Sequence, residues 1–105
     1  VEFAFTTDTD TKRLFEIAVH FLQQYFAYDL NDAVSLVNRY YQARATKHDD
    51  DYYHHEGSFQ IAVQAHYFIG LSKDPAHYPE WKKEHGLINA PREAIDYFNE
   101  HYFVK

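Results

Sequence analysis

Thr11-Lys12-Arg13-Leu14-Phe15-Glu16-Ile17-Ala18-Val19-His20-Phe21-Leu22-Gln23-Gln24-Tyr25-Phe26-Ala27 is the stretch whose spacing decides the fold. Leu14, Ile17, Ala18, Phe21, Leu22, Tyr25 and Phe26 recur at the i, i+3, i+4, i+7 interval of one helical face. A face that apolar must be covered by other elements, so the helix belongs to a bundle. Upstream, Asp8 or Asp10 can cap its free amides. Further upstream, Val1, Phe3 and Phe5 alternate with Glu2 and Ala4, which reads as a short extended segment or, equally, as an arm docked on the helices.

Downstream, Asn31 is the expected cap of a second helix that carries Ala33, Leu36, Val37, Tyr40 and Arg44 on one side. The short Tyr28-to-Leu30 connection makes it an antiparallel neighbour of the first. The run from Thr46 to Glu56 has no period, and its first part reads as a loop tightening into helix near Tyr53. From Ser58 to Leu71 only Gln60, Gln64 and His66 clearly interrupt an apolar run, so this helix is expected innermost, with Phe68 and Phe21 as core sites. Gly70 and Asp74-Pro75 end it, Pro79 opens a short helix that Gly86 closes, and Pro91 opens the last one. That last helix should turn Ala94, Ile95, Phe98 and Tyr102 inward, with Glu93, Asp96, Asn99 and Glu100 outward. The expectation is an all-α, compact bundle of about five helices with an extended N-terminal arm, residues 1–105 forming a single domain.

Composition narrows the function. The chain of 105 residues is 46% hydrophobic and 25% charged, the balance of a folded domain rather than of disorder. A net charge of −6 repels phosphate backbones and anionic lipid and attracts basic surfaces, so direct nucleic-acid binding is disfavoured. The absence of cysteine removes disulfides, thiolate nucleophiles and cysteine-based zinc sites, and it favours the cytoplasm over an oxidising compartment. No apolar run approaches the roughly 18 residues of a membrane span, and Val1–Phe5 is too short for a signal-peptide core. With 10 Tyr and 9 Phe, the aromatic content exceeds what a core alone would want, and tyrosine is the residue that protein interfaces favour.

Several constellations invite chemistry. Glu16 and His20 lie four apart on one helical face, a spacing that can supply two metal ligands, yet no second helix carries a matching pair. His54, His55 and Glu56 are adjacent, so they diverge around a helix, and Asp49-Asp50-Asp51 lacks the glycine and alternation of a calcium loop. His66 sits on the apolar face of the central helix, where a neutral histidine bonded to a carbonyl or a tyrosine hydroxyl is the commoner occupant than a tuned base. Trp81 with Lys82, Lys83 and His85 is too small a basic patch for a nucleic-acid footprint in so acidic a chain. No serine stands in a nucleophile elbow, and three glycines cannot build a phosphate-cradling loop. The reading is no catalytic residue, no metal and no cofactor. Asp49, Asp50, Asp51, Tyr52, Tyr53, His54, His55 and Glu56 are instead the candidate partner-binding residues, the acids steering association and Tyr52 and Tyr53 anchoring it. The acidic side of the last helix, around Glu93, Asp96 and Glu100, is the alternative face.

Val37-Asn38-Arg39-Tyr40-Tyr41, the His54-His55-Glu56-Gly57-Ser58-Phe59 turn and Tyr97-Phe98-Asn99-Glu100 resemble the small all-helical immunity proteins of bacterial contact-dependent growth inhibition and related polymorphic toxin systems. The resemblance implies a cytoplasmic protein without enzymatic activity that binds one cognate toxin, often a nuclease, and occludes its active site. The rivals from other classes are a metal-dependent or histidine-based helical enzyme built on Glu16, His20, His54, His55 and His66, and a self-associating subunit.

Overall fold

The structure, a computed structural model, describes residues 2–44 and 50–103. Helix α1 covers Thr9–Phe26, α2 Leu30–Arg44, α3 Asp50–Gln64, α4 Tyr78–Glu84 and α5 Arg92–Tyr102. A π-helical turn, Ala65–Gly70, continues α3, and a 3-10 turn, Pro75–His77, leads into α4. The described residues contain no strand, and the expected all-α bundle of five helices is the architecture found. Its radius of gyration, 12.9 Å, is that of a globule of this length, about 13 Å.

Local chemistry sets the helix ends. The Asp8 carboxylate accepts from the Thr11 amide at 2.7 Å, so α1 begins two residues before Thr11, the expected start. It ends at Ala27, a left-handed residue (φ 61°), beyond which the Tyr28 amide reaches back to the Leu22 carbonyl. Asp29, not Asn31, caps α2: its carboxylate accepts from the Asp32 amide at 2.8 Å and its carbonyl from Ala33. Gly86 closes α4 as expected, at φ 68°, with Leu87 donating to the Lys82 carbonyl and Gly86 to that of Lys83.

Helix α1 forms the hub. Its largest contact is with α3, and it also packs on α2 and α5. Its buried face differs from the expected one, because Phe15 and Val19 go inside along with Leu14, Ile17, Ala18, Phe21 and Leu22, while Tyr25 and Phe26 are only half-buried. The centre is therefore shared between α1 and the stretch from Ser58 to Tyr67, and the expectation that Ser58–Leu71 is innermost throughout fails at its end. Phe68 and Ile69 are half-buried and Leu71 is exposed, since the π turn carries them away from α1. In α5, Ala94 is buried but Ile95 is exposed, contrary to its expected inward position, and Phe98 and Tyr102 are half-buried. The N-terminal segment is an arm rather than a strand. Phe5 stacks on Tyr41 at 4.0 Å and meets the edge of Phe15, while the Ala4 amide donates to Asn38 at 2.9 Å.

Candidate functional site

The expected contact segment is helical from Asp50, three residues before the expected start, and Asp49 lies outside the described residues. Two acids in the first turn suit the positive end of the helix dipole. Asp50 is moreover engaged, accepting from the hydroxyls of Thr7 and Tyr41. At Gly57 (φ 83°, ψ 164°) the helix breaks its direction, in a backbone region that only glycine occupies readily.

The bend sorts the candidate residues into three environments. Asp51, His54 and His55 are exposed. Tyr52 and Glu56 are half-buried and look inward: Tyr52 donates to Gln64 and Glu56 at 3.3 and 3.4 Å, and Gln64 donates to Glu56 at 2.8 Å. Tyr40 completes this network from α2, its hydroxyl donating to the same Gln64 oxygen. Tyr53, expected as an exposed anchor, is a core residue at 1% exposure, packed against Phe15 and Tyr40. Its sequence neighbours are polar, but its position on α3 faces α1 and α2 rather than solvent.

His54 gathers three helices at one end of the bundle. Its Nε2 lies 2.8 Å from the Thr11 hydroxyl and its Nδ1 3.4 Å from that of Tyr102, while Arg13 donates to the Tyr102 carbonyl at 3.0 Å. Around this knot stand Asp8, Asp10 and Asp51, all exposed, and Phe103, which is 64% exposed. Hydrogen bonds from Thr11 hold the Asp8 carboxyl below its ordinary range, with His54 adding in the same direction. Sequence reasoning found the α3 part of this surface. It missed Asp8, Asp10 and Phe103, which are near Asp51 only because the N-terminus of α1 and the C-terminus of α5 end at the same place.

A second feature lies on the other side of the bend. Gly57, Phe59, Gln60, Ile88, Ile95 and Phe98 line an open cleft of about 270 Å³ whose floor includes Phe21 and Ala94. Ile88 and Ile95 are 52% and 45% exposed.

The other sequence candidates are engaged structurally. His20 lies flat on Tyr97 with rings 3.8 Å apart, and His101 covers the opposite side of Tyr97 at the same distance. Glu16 is exposed, and among the described residues no group of three or more His, Asp or Glu is placed to hold a metal ion. His66 is half-buried, stacked on Phe26 at 4.3 Å and hydrogen-bonded through Nδ1 to the Tyr28 hydroxyl at 2.7 Å. Trp81 packs on Tyr67, and Lys82 lies over the Tyr78 ring at 4.7 Å, so the basic patch faces its own aromatics.

No family of known proteins matches the chain, and no curated protein or solved structure matches it either. Fold and surface define its class: a small acidic helical domain with an exposed charged-aromatic end. No helix among the described residues is long and apolar enough to cross a membrane.

Proposed function

We propose that the chain is an immunity protein of the cytoplasm, which binds a cognate basic toxin, of the nuclease kind, and blocks its active site without catalysing a reaction. The observation that carries this reading is the convergence at His54, which joins the start of α1, with exposed Asp8 and Asp10, to the turn of α3 that carries exposed Asp51 and to the end of α5, where exposed Phe103 follows Tyr102. Nuclease clefts are lined with cations that hold phosphates. A rigid acidic surface with an aromatic beside it offers such a cleft the same charge pattern as its substrate and a ring to bury.

The test is binding kinetics with the toxin domain encoded beside its gene, at two salt concentrations. Replacing Asp10 and Asp51 together by Asn should slow association about tenfold and flatten its salt dependence, while dissociation changes little. Phe103→Ala should act oppositely, speeding dissociation and leaving the salt slope alone. Kinetics unaffected by all of these substitutions, in variants that melt like the parent, would remove the acidic end as the contact surface. Absence of binding to that toxin would remove the immunity reading itself.

A further inference from the structure

The cleft beside Gly57 has the construction of a socket. Its floor is buried and apolar, with Phe21, Phe59 and Ala94 at 1%, 6% and 2% exposure, and its rims are the exposed Ile88 and Ile95. Two of the large hydrophobics left exposed among the described residues thus line one depression, which scattered surface residues would not do. Gly57 contributes to the opening, because a side chain there would meet nothing within 4 Å. At about 270 Å³ the cleft falls just short of the ~300–1,000 Å³ typical of small-molecule sites, a size suited to one large apolar side chain.

Charge says what carries that side chain. Among the described residues Glu56 is the one charged residue lining the cleft, one of its carboxylate oxygens accepting from Gln64 and Tyr52. On the α5 side, Glu93 lies outside the lining and is held by the Tyr25 hydroxyl at 3.1 Å, Tyr25 itself packing on Phe59 of the cleft. Arg92, at the start of α5, is paired with Asp96 at 3.2 Å, and no ion pair among the described residues involves Glu56 or Glu93. A second copy of this chain, at net charge −6, would bring like charge to the Glu56 edge of the cleft. A basic partner would be drawn to it.

We propose that this cleft is the anchor socket of the partner interface and takes a leucine- or phenylalanine-sized side chain flanked by Lys or Arg of a basic protein segment. This rests on the reading that the chain binds a basic protein, but it concerns the cleft floored by Phe21, Phe59 and Ala94, which adjoins the acidic end where Phe98 stacks on Tyr102. The acidic end would steer the encounter, and the socket would hold the complex.

The test uses the full isotope-labelled chain and three capped tetrapeptides: acetyl-Arg-Leu-Phe-Arg-amide, its Glu-flanked counterpart, and acetyl-Arg-Ala-Ala-Arg-amide. The first should move the amide resonances of Gly57, Ala94 and Ile95 and bind about tenfold more tightly than either control, since it alone has both anchor and charge. Ile95→Arg should weaken it about tenfold or more, and Ile88→Arg likewise, whereas Leu71→Arg, at an exposed apolar site outside the cleft, should not. Thermal melts confirm that each variant folds, and either lip variant suffices if the other does not. Resonance changes confined to Asp8, Asp10, Asp51 and His54 would overturn the socket while leaving the acidic surface standing. Equal binding of the alanine peptide would overturn the anchor, and no binding of any peptide would overturn the proposal outright. A dimer of the parent chain that Ile95→Arg dissociates would assign the cleft to a second copy and overturn it as well. Loss of toxin binding by the acidic-end variants alone, with peptide binding intact, separates this outcome from failure of the immunity reading.

Discussion

Asp50–Glu56 and Ser58–Gln64 are seven-residue halves of one helix, and they have opposite fates. The first buries only Tyr53, whereas the second buries every residue except Gln60. Ser58 even gives its hydroxyl to the Leu14 carbonyl at 2.7 Å, satisfying a polar group in the interior. The first half is held by hydrogen bonds at its flanks, through Asp50, Tyr52, His54 and Glu56, and by a single ring in the core. A helix held in that way keeps an outer face free for another molecule, while its neighbour offers only the edge of the cleft at Phe59 and Gln60. The difference arises at Gly57, where the backbone changes direction and so changes which side of the chain meets α1.

The largest expected effect tests whether one residue anchors the first half. Tyr53 packs on Phe15 at 5.0 Å, on Tyr41 at 5.7 Å and on Tyr40 at 6.1 Å. Tyr53→Ala should therefore cost about 3–5 kcal/mol in denaturant unfolding, as for any large aromatic removed from a packed core. Its hydroxyl is buried without a hydrogen-bond partner among the described residues, and burial pushes its pKa up to about 12. Tyr53→Phe should consequently be neutral or stabilising, because the desolvated group disappears with nothing lost. Asp51→Asn, on the exposed side, should stay within about 0.5 kcal/mol. Midpoints that do not separate Tyr53→Ala from Asp51→Asn would erase the distinction between an anchored and a free face.

A smaller effect tests the bend itself. Gly57→Ala meets no steric obstacle, yet its φ of 83° and ψ of 164° lie where a side chain is strained whatever the space around it. The expected cost is about 1–3 kcal/mol. An alanine variant as stable as the parent, with unchanged helicity, would mean that the backbone does not need glycine there.

These particulars also show what could be read from the sequence. Helix α1 and the second half of α3 were legible because apolar spacing survives in the one-dimensional string, as Leu14 to Phe26 and Phe59 to Val63 show. Tyr53 was misplaced because its local neighbours, Asp50, Asp51, His54 and His55, are all polar, and only the packing of α3 on α1 and α2 assigns it inward. Ile95 failed for the converse reason: it lies on the apolar side of α5 by spacing, but Ala94 already fills the contact with the core and leaves Ile95 at the lip of a cleft. Half of the candidate surface was visible as the run from Asp50 to His55. The other half, Asp8, Asp10 and Phe103, is distant in sequence and joins it only through the His54 contacts with Thr11 and Tyr102.

The smallest expected effect uses histidine as a probe of the two halves. His54 belongs to the exposed first half, and His66 follows the buried second half in the π turn. Burial holds the His66 pKa below its ordinary value of 6.5, and the nearby His85 and Lys73 act in the same direction. With the ring neutral, the Tyr28 hydroxyl can donate to Nδ1, a bond that needs Gly70, since a side chain there would strike that hydroxyl. As pH falls below 6.5, the unfolded chain takes up this proton before the folded one does. Stability should therefore be complete above that value, decline as the pH falls through it, and level off once the folded-state pKa is passed. The informative quantity is a difference: His66→Gln should lose less stability than the parent between about pH 7.5 and about pH 5.5. Tyr28→Phe should be less stable than the parent at the higher pH, where the hydroxyl bond exists, and closer to it at the lower one, where a protonated Nδ1 no longer accepts. If His66→Gln followed the parent curve while His54→Gln flattened it, the charge-sensitive position would lie in the exposed half and the contrast drawn across Gly57 would be reversed.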